Sequence, residues 1–497
     1  MDKRIAVIGA GLSGLCSAIR LAKAGYKVTL YEKNKSAGGK IEELKGKGFR
    51  FDTGASILTL PGLITELFEY TGEDVTDYIT LKKLEVNSRF FYPDGTVIDA
   101  FHDNERFASA VETITGVSRK KILKFLKRSQ RLYELTSEIF LFRPFQNIRS
   151  ILFLQAIRLI LNISLLSLFK TMHRLNKKWF PDARIIQLFD RYATYNGSDP
   201  YRAPATLSVI THLEHNIGSY LPEKGMYDLI KGLVSLATKL GVEFRFNACV
   251  EEILVNNRTV TGIKFNGTIH DYSIIVNNTD VFYTYKELLK NNVNPGRIFK
   301  HELSSSCFIF YWGVKKQFRD LKIHNILFSG NYREEFEAVF GKKELYEDPS
   351  IYIYISSKMC KKDAPDGCEN WLVMINSPVD CGQNSNEQLR YARNTILRKI
   401  NRMLKTDLEK YIVFEKYSTP GTVEKWTNSY RGALYGPATS SVFSTFQRHA
   451  NFKRSVKGLY FTGGTVHPGG GIPLCMASAK IVSELVMDDF PAGDTKD

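Results

Sequence analysis

Acid is what this chain is short of: 52 Asp and Glu stand against 68 Lys and Arg over 497 residues, a formal charge of +16. That deficit calls for an acidic partner, and nucleic acid or an anionic membrane surface are the two candidates. No recognised nucleic-acid motif accompanies the charge, so an anionic lipid surface is the expected partner and nucleic acid is not. Cysteine is sparse: the seven, at 16, 249, 307, 360, 368, 381 and 475, form no CxxC pair, which argues against a disulfide framework or a zinc site and for a reducing, cytoplasmic setting. His212 and His215 stand one helical turn apart without a third ligand at metal-site spacing, so they read as helix-surface residues and no metal is expected. Internal repeats and low-complexity linkers are lacking too. The opening apolar run is too short for a cleavable signal segment, and the one floppy stretch expected is the tail, 491–497.

Long apolar runs are also scarce. Residues 151–169, ILFLQAIRLILNISLLSLF, come nearest to the about 20 that a membrane span needs. Gln155, Arg158 and Asn162 put a narrow polar stripe on that helix, and an Arg in mid-bilayer is costly. The basic flanks, Arg143, Arg149, Lys170, Arg174, Lys177 and Lys178, suit a helix lying in the plane of anionic lipid. A core helix of a substrate domain is the other reading, and both stay open.

What is present organises itself around the N-terminus. Ile5 to Ile8 form an apolar run, Gly9, Gly11 and Gly14 follow at GxGxxG spacing, and Leu15 to Ala22 reads as a helix. Gly9 permits the tight turn, Gly11 lets backbone approach a pyrophosphate, and Gly14 lets helix and strand pack closely. Leu12 and Ser13 complete the turn, and the positive helix end faces the phosphates. Lys27 to Tyr31 is a second strand, with Glu32 placed at its end to accept hydrogen bonds from an adenosine ribose. The unit is a Rossmann-type dinucleotide turn, and by itself it leaves NAD and FAD both open.

Further along, Phe90 to Asp99 reads as a hairpin turning at Pro93-Asp94-Gly95, residues 104–140 as amphipathic helices, and 242–277 as a strand meander. Strands at 307–314, 326–328, 351–355 and 371–376 precede a helix over 388–404. Phe308, Phe310, Tyr311, Trp312, Tyr352 and Tyr354 on those strands are candidates for the wall of an apolar tunnel. Near the C-terminus, YFTGGTVHPGGGIP carries a strand into Gly463-Gly464, through His467 and three more glycines, and into a helix starting at Pro473. This repeats the anion-cradling geometry of the first turn.

Lys33 to Lys40 (KNKSAGGK) and Gly48 to Ser56 (GFRFDTGAS) resemble the GGR and FDxG patterns of FAD-dependent amine oxidases and phytoene-type carotenoid desaturases, with Lys40 where many relatives carry Arg. Together with FDTGASILTLP and the C-terminal glycine loop, the chain resembles the phytoene-desaturase family end to end. SILTLP, LFEY, FYPDGTVID, DPSIYIY and RGALYG lean toward its bacterial C30 oxygenase branch. The resemblance implies an α/β fold: a Rossmann-type FAD-binding domain of the amine-oxidase kind (1–85, 220–290 and 425–490), an inserted α+β substrate domain (86–219 and 291–424) and a helical membrane-facing region. It implies FAD contacts at Gly9, Gly11, Leu12, Ser13, Gly14, Glu32, Lys33, Gly39, Lys40, Ser56, Val250, Gly463, Gly464, His467, Gly471 and Ile472.

The implied chemistry is hydride loss from an apolar C30 polyene to flavin, giving an aldehyde at a terminal methyl of diaponeurosporene or, alternatively, new conjugated double bonds. Oxygen and a quinone are both open as electron acceptor, and no catalytic acid or base can be assigned. An amine or porphyrinogen oxidase and a non-catalytic carotenoid-binding flavoprotein are rival readings. Peripheral attachment to a membrane on the cytoplasmic side completes the expectation.

Overall fold

The apolar run Arg4–Ile8 forms the middle strand of a five-stranded parallel sheet, ordered Leu459–Phe461, Ile274–Asn277, Arg4–Ile8, Lys27–Tyr31, Glu243–Arg245. The computed structural model describes residues 4–144, 157, 161–290, 293–380, 385–440 and 448–491. Parallel sheets need cover on both faces, and the period of two in the first strand shows how it is given. Ile5 and Val7 enter the core shared with helices Leu12–Lys23, Tyr227–Lys239 and Ile472–Asp489, while Ala6 and Ile8 face a second core. That second core is closed by an antiparallel meander, Val250–Asn256, Thr259–Phe265 and Thr268–Asp271.

A second, seven-stranded sheet runs Ile412–Ser418, Ser306–Val314, Glu369–Ser377, Ile351–Tyr354, His324–Leu327, Val86–Phe91, Val97–Phe101. Its pairs are antiparallel except His324–Leu327 beside Val86–Phe91. The hairpin expected at Pro93-Asp94-Gly95 is its edge, with Phe91 opposite Val97. Strand Ser306–Val314 is buried at every position, and its pleat divides the aromatics. Phe308, Phe310 and Trp312 pack with Ala392, Ile396 and Ile400 of helix Ser385–Leu404, away from the other sheet, whereas Ile309 and Tyr311 join the core between the sheets. Those three are therefore not tunnel residues, which corrects the expectation drawn from the sequence.

Helices Asn104–Thr115, Arg119–Phe140, Met172–Trp179 and Ala183–Asp190 cap the edge hairpin through Phe90, Phe107, Phe125 and Phe189. His212 and His215 lie under this cap at 7% and 0% exposure, a second correction. The chain there closes as a wide turn over His212–Ile217 packed on helix Arg119–Phe140, with His212 tilted on Tyr133 and His215 between Phe107 and Phe189. Gln155, Arg158 and the rest of 151–156 and 158–160 fall outside the described residues, as do Arg149, Cys381 and the tail beyond 491. Among the described residues no helix is long and apolar enough to cross a membrane.

Candidate functional site

Both glycine turns open into one cavity. Strands Arg4–Ile8 and Leu459–Phe461 flank Ile274–Asn277, so the sheet order sets the two turns side by side at the carboxyl ends of parallel strands, where open α/β sheets bind ligands. Asn278 fastens one to the other: its Oδ1 accepts from the Gly14 N–H at 3.0 Å, and its Nδ2 donates to the Thr462 carbonyl at 3.1 Å. Ser13 Oγ adds a hydrogen bond to the carbonyl of Cys475 at 2.7 Å. Nothing in the run Asn277-Asn278-Thr279-Asp280 marks it as more than a turn, which is why sequence reasoning passed over it.

The cavity takes in about 2860 Å³ of free space, its open mouth included. Its lining joins both glycine turns to a set of apolar side chains, among them Ile309, Ile326, Phe328 and Met374. Of the residues expected at the cofactor, Gly9, Gly11, Leu12, Ser13, Glu32, Lys33, Gly39, Lys40, Ser56, Val250, Gly463, Gly464, Gly471 and Ile472 line it. Gly14 and His467 do not. Gly14 stands behind the turn, where a Cβ would lie 2.1 Å from the Gly9 carbonyl oxygen.

His467 is buried and does not line the cavity, a correction to its placement at the cofactor. Its Nε2 lies 2.9 Å from the Arg143 carbonyl, and its own carbonyl accepts from Asn451 and Ser478. Burial holds its pKa down to about 4, so it is neutral and fixes the loop.

A dinucleotide fits this cradle. Gly9 takes φ of +97°, and a Cβ on Gly39 would come 3.2 Å from Gly11 Cα, so the two glycine backbones are in contact and leave their other sides open. Glu32 is fixed by N–H groups of Ala10 and Asn34, each at 2.8 Å, and an ionised carboxylate keeps lone pairs for a ribose. Asp280 Oδ2 is buried without a hydrogen-bond partner among the described residues and belongs to a cavity-lining side chain. Burial pushes the Asp280 carboxyl up to about 6 against the opposing charge of Lys40. Lys40 is enclosed by protein yet open to the cavity, and burial lowers its pKa. Its Nζ donates to the Leu434 carbonyl at 2.5 Å.

Arg448, which sequence reasoning missed, holds the loops beside the cavity. Buried, with its pKa lowered to about 10 by that burial, it donates to the carbonyls of Tyr435, Pro437 and Gly464 and ties the C-terminal glycine loop to the loop before it.

The far half of the cavity is apolar. Ile57, Ile309, Ile326, Phe328, Leu372 and Met374 form its wall, and Tyr352 presents a hydroxyl held by Ser56 Oγ at 2.6 Å and His324 Nδ1 at 2.7 Å. Burial keeps His324 neutral, with its pKa lowered to about 3. Among the described lining residues the carboxylates are Glu32 and Asp280, both on the glycine-turn side.

Behind Tyr195 of this wall stands Glu214, fully buried and accepting from the hydroxyls of Tyr192 and Tyr195. His215 Nε2 meets the same Tyr192 hydroxyl at 2.8 Å. Burial lowers the His215 pKa from 6.5 to about 3, so below pH 6.5 the unfolded chain takes up a proton there that the folded chain refuses. Stability from this group is thus full above pH 6.5 and is lost as pH falls. Relative to His215→Gln, the wild-type unfolding free energy should be pH-independent above 6.5 and fall by about 1.4 kcal/mol per unit below it. Paired urea titrations at a series of pH values check this, and parallel curves would place the imidazole in water.

A family model described as flavin containing amine oxidoreductase matches residues 12–487. A 1-hydroxycarotenoid 3,4-desaturase of a Flavobacterium species is 46% identical over 484 residues, covering 97% of this chain and 99% of that protein. A 4,4'-diaponeurosporene oxygenase of Staphylococcus haemolyticus is 31% identical over 491 residues, 98% of this chain and 97% of that one. Among solved structures, an oxidoreductase from Methanosarcina mazei superposes with a TM-score of 0.64 at 16% identity, covering 97% of this chain and all of that one. Cyclohexylamine oxidase from Brevibacterium oxydans gives 0.61 at 12% identity, covering 98% and 99%.

Proposed function

The chain belongs to the flavin-containing amine oxidoreductase family, and from that premise we propose that it is a carotenoid desaturase, inserting double bonds into a polyene. It is an FAD-dependent oxidoreductase of the carotenoid desaturase and oxygenase type. The observation that carries the finer reading is the single cavity running from two phosphate-cradling turns to a wall of Ile, Leu, Met and Phe. The sequence leaned toward oxidation of a terminal methyl; 46% identity to a desaturase against 31% to an oxygenase supports desaturation instead.

The N-terminal turn, Glu32 and Val250 would hold the adenosine and pyrophosphate, and Lys40, Ser56, Gly471 and Ile472 the redox-active end. Bound there, FAD supplies a two-electron acceptor for a carbon–carbon single bond that becomes double. The apolar wall orients the polyene and keeps water from it. Neutral His324 fixes the Tyr352 hydroxyl toward Ser56, so this wall presents hydrogen bonds without a charged base.

The test is anaerobic mixing of FAD-loaded protein with a carotenoid, followed by chromatography and mass measurement. Expected are bleached flavin and a product lighter by a pair of hydrogens for each turnover. A product heavier by oxygen when air is admitted would transfer the assignment to the oxygenase reaction, and unbleached flavin with unchanged pigment would remove both. Reoxidation by dioxygen against a quinone then identifies the electron acceptor.

Carotenoids reside in lipid, and the proposal extends to peripheral docking on an anionic membrane at the cytoplasmic face. Supporting it, Leu161, Ile163 and Phe169 are 77%, 55% and 96% exposed, next to Lys170, whose pKa is lowered first by the like charge of Lys178. Flotation with anionic vesicles should show Leu161→Ser and Phe169→Ser each weakening binding by roughly tenfold, the worth of one buried apolar side chain. Equal flotation of wild type and the double variant would rule this surface out.

A further inference from the structure

The apolar half of the cavity contains one charged side chain with a donor left unpaired. Arg191 lies at the start of the turn Arg191–Asn196 that follows helix Ala183–Asp190, lines the cavity, and is 8% exposed. Its Nη1 is buried with no hydrogen-bond partner, and the guanidinium makes no ion pair, among the described residues. The aromatic rings of Phe90 and Tyr195 lie 5.7 Å and 5.3 Å from its centre and give it π faces; burial disfavours its charge, and Tyr195 and Glu214 beside it more than reverse this. Glu214 is the nearby counter-charge, yet its two oxygens are taken up by the hydroxyls of Tyr192 and Tyr195. A buried N–H without an acceptor is costly, and an occupant that brought an oxygen to Nη1 would remove the cost.

We propose that Arg191 receives a neutral oxygen, hydroxyl or carbonyl, carried near one end of the polyene, and that this contact makes the pocket selective for oxygenated carotenoids over pure hydrocarbons. Guanidinium offers only donors, so the matching group must accept. Neutrality follows from the charge count: Glu214 already balances Arg191, and a carboxylate would add an uncompensated negative charge beside Phe328 and Ile326. The inference rests on the carotenoid reading above and adds to it the substrate's end group and the residue that selects it.

The experiment compares kcat/KM of FAD-loaded protein, in vesicles, for four carotenoids with the same polyene and a terminal hydroxyl, carbonyl, carboxylate or hydrogen. Wild type should prefer hydroxyl or carbonyl over hydrogen by roughly tenfold or more, since a site built to bond an oxygen is left unpaired by the analogue lacking it. Arg191→Met should bring that ratio toward one, chiefly through KM, and Arg191→Lys should recover part of it. Absence of preference in wild type, preference for the carboxylate, or equal slowing of all substrates by Arg191→Met overturns the assignment. Should Arg191→Met fail to fold, as judged by flavin content and melting temperature, the wild-type ratios decide alone. Turnover of none of the four overturns the desaturase reading beneath it, a result distinct from turnover without discrimination.

Discussion

Gly14→Val should accumulate as protein without FAD. Gly14 is helical, so the penalty is one of contact and not of backbone conformation: a Cβ would lie 2.1 Å from the Gly9 carbonyl and 3.0 Å from Asn278 Oδ1. Both neighbours are fixed. The Gly9 N–H donates to the Tyr31 carbonyl, and Asn278 holds the second glycine turn through Thr462. The helix Leu12–Lys23 must therefore back away from the strand end, and with it go the N–H groups of the turn that would meet a pyrophosphate. Overpacking of this kind costs about 1–3 kcal/mol in rigid surroundings, and displacement of the anion site adds to it, so FAD affinity should fall by at least about a hundredfold. Titration of apo-protein with FAD, read by calorimetry, measures this. Gly62→Ala is the control, since nothing lies within 4 Å of a Cβ there. Full FAD content in Gly14→Val would mean that the phosphates sit elsewhere.

Such a variant tests the part of the molecule most legible in sequence, and the reason for that legibility is local. Strand, turn, helix and second strand follow one another within residues 4–31, so each spacing constrains the next. Asn278 and Arg448 were illegible because their roles exist only once distant strands lie side by side. The tunnel aromatics show another limit: a strand buried on both faces carries no alternation of polar and apolar residues, and without it the pleat's parity cannot be read. Hence Phe308, Phe310 and Trp312 looked equivalent to Tyr311, although only odd-numbered positions of that strand reach the cavity. The histidine pair failed for a related reason. Its spacing was read correctly, but what covers a helical turn is decided by residues far away in the chain, here Phe107 and Tyr133.

Asp52 shows the same limit inside a motif that was recognised. The FDTG pattern carries a family resemblance but no sign that its aspartate is a hub: Oδ1 accepts from Arg50 Nη2 at 2.6 Å and the Tyr227 N–H at 3.1 Å, and Oδ2 from the Met226 N–H at 2.9 Å and the Tyr354 hydroxyl at 3.3 Å. One carboxylate thus joins the hairpin Glu43–Gly46 with Phe49–Asp52, the start of helix Tyr227–Lys239 and the seven-stranded sheet. Burial alone would disfavour the Arg50 charge, and Asp52 and Asp363 beside it more than reverse this, holding its pKa above the usual arginine value. Asp52→Ala removes the best placed of those partners and leaves the N–H groups at a helix start unanswered. Breaking a buried pair in this way costs about 3–5 kcal/mol, a large share of the roughly 5–15 kcal/mol that holds a domain folded. Urea unfolding of the FAD-free protein should show that loss. Asp52→Asn should recover only part of it, since an amide restores one acceptor and turns a donor toward Arg50 or the helix. FAD binding should weaken in step, because Thr53, Gly54 and Ser56 line the cavity directly after Asp52. A variant that kept wild-type stability while losing FAD would instead place Asp52 at the cofactor, and one that lost neither would mean that the two sheets are held together without it.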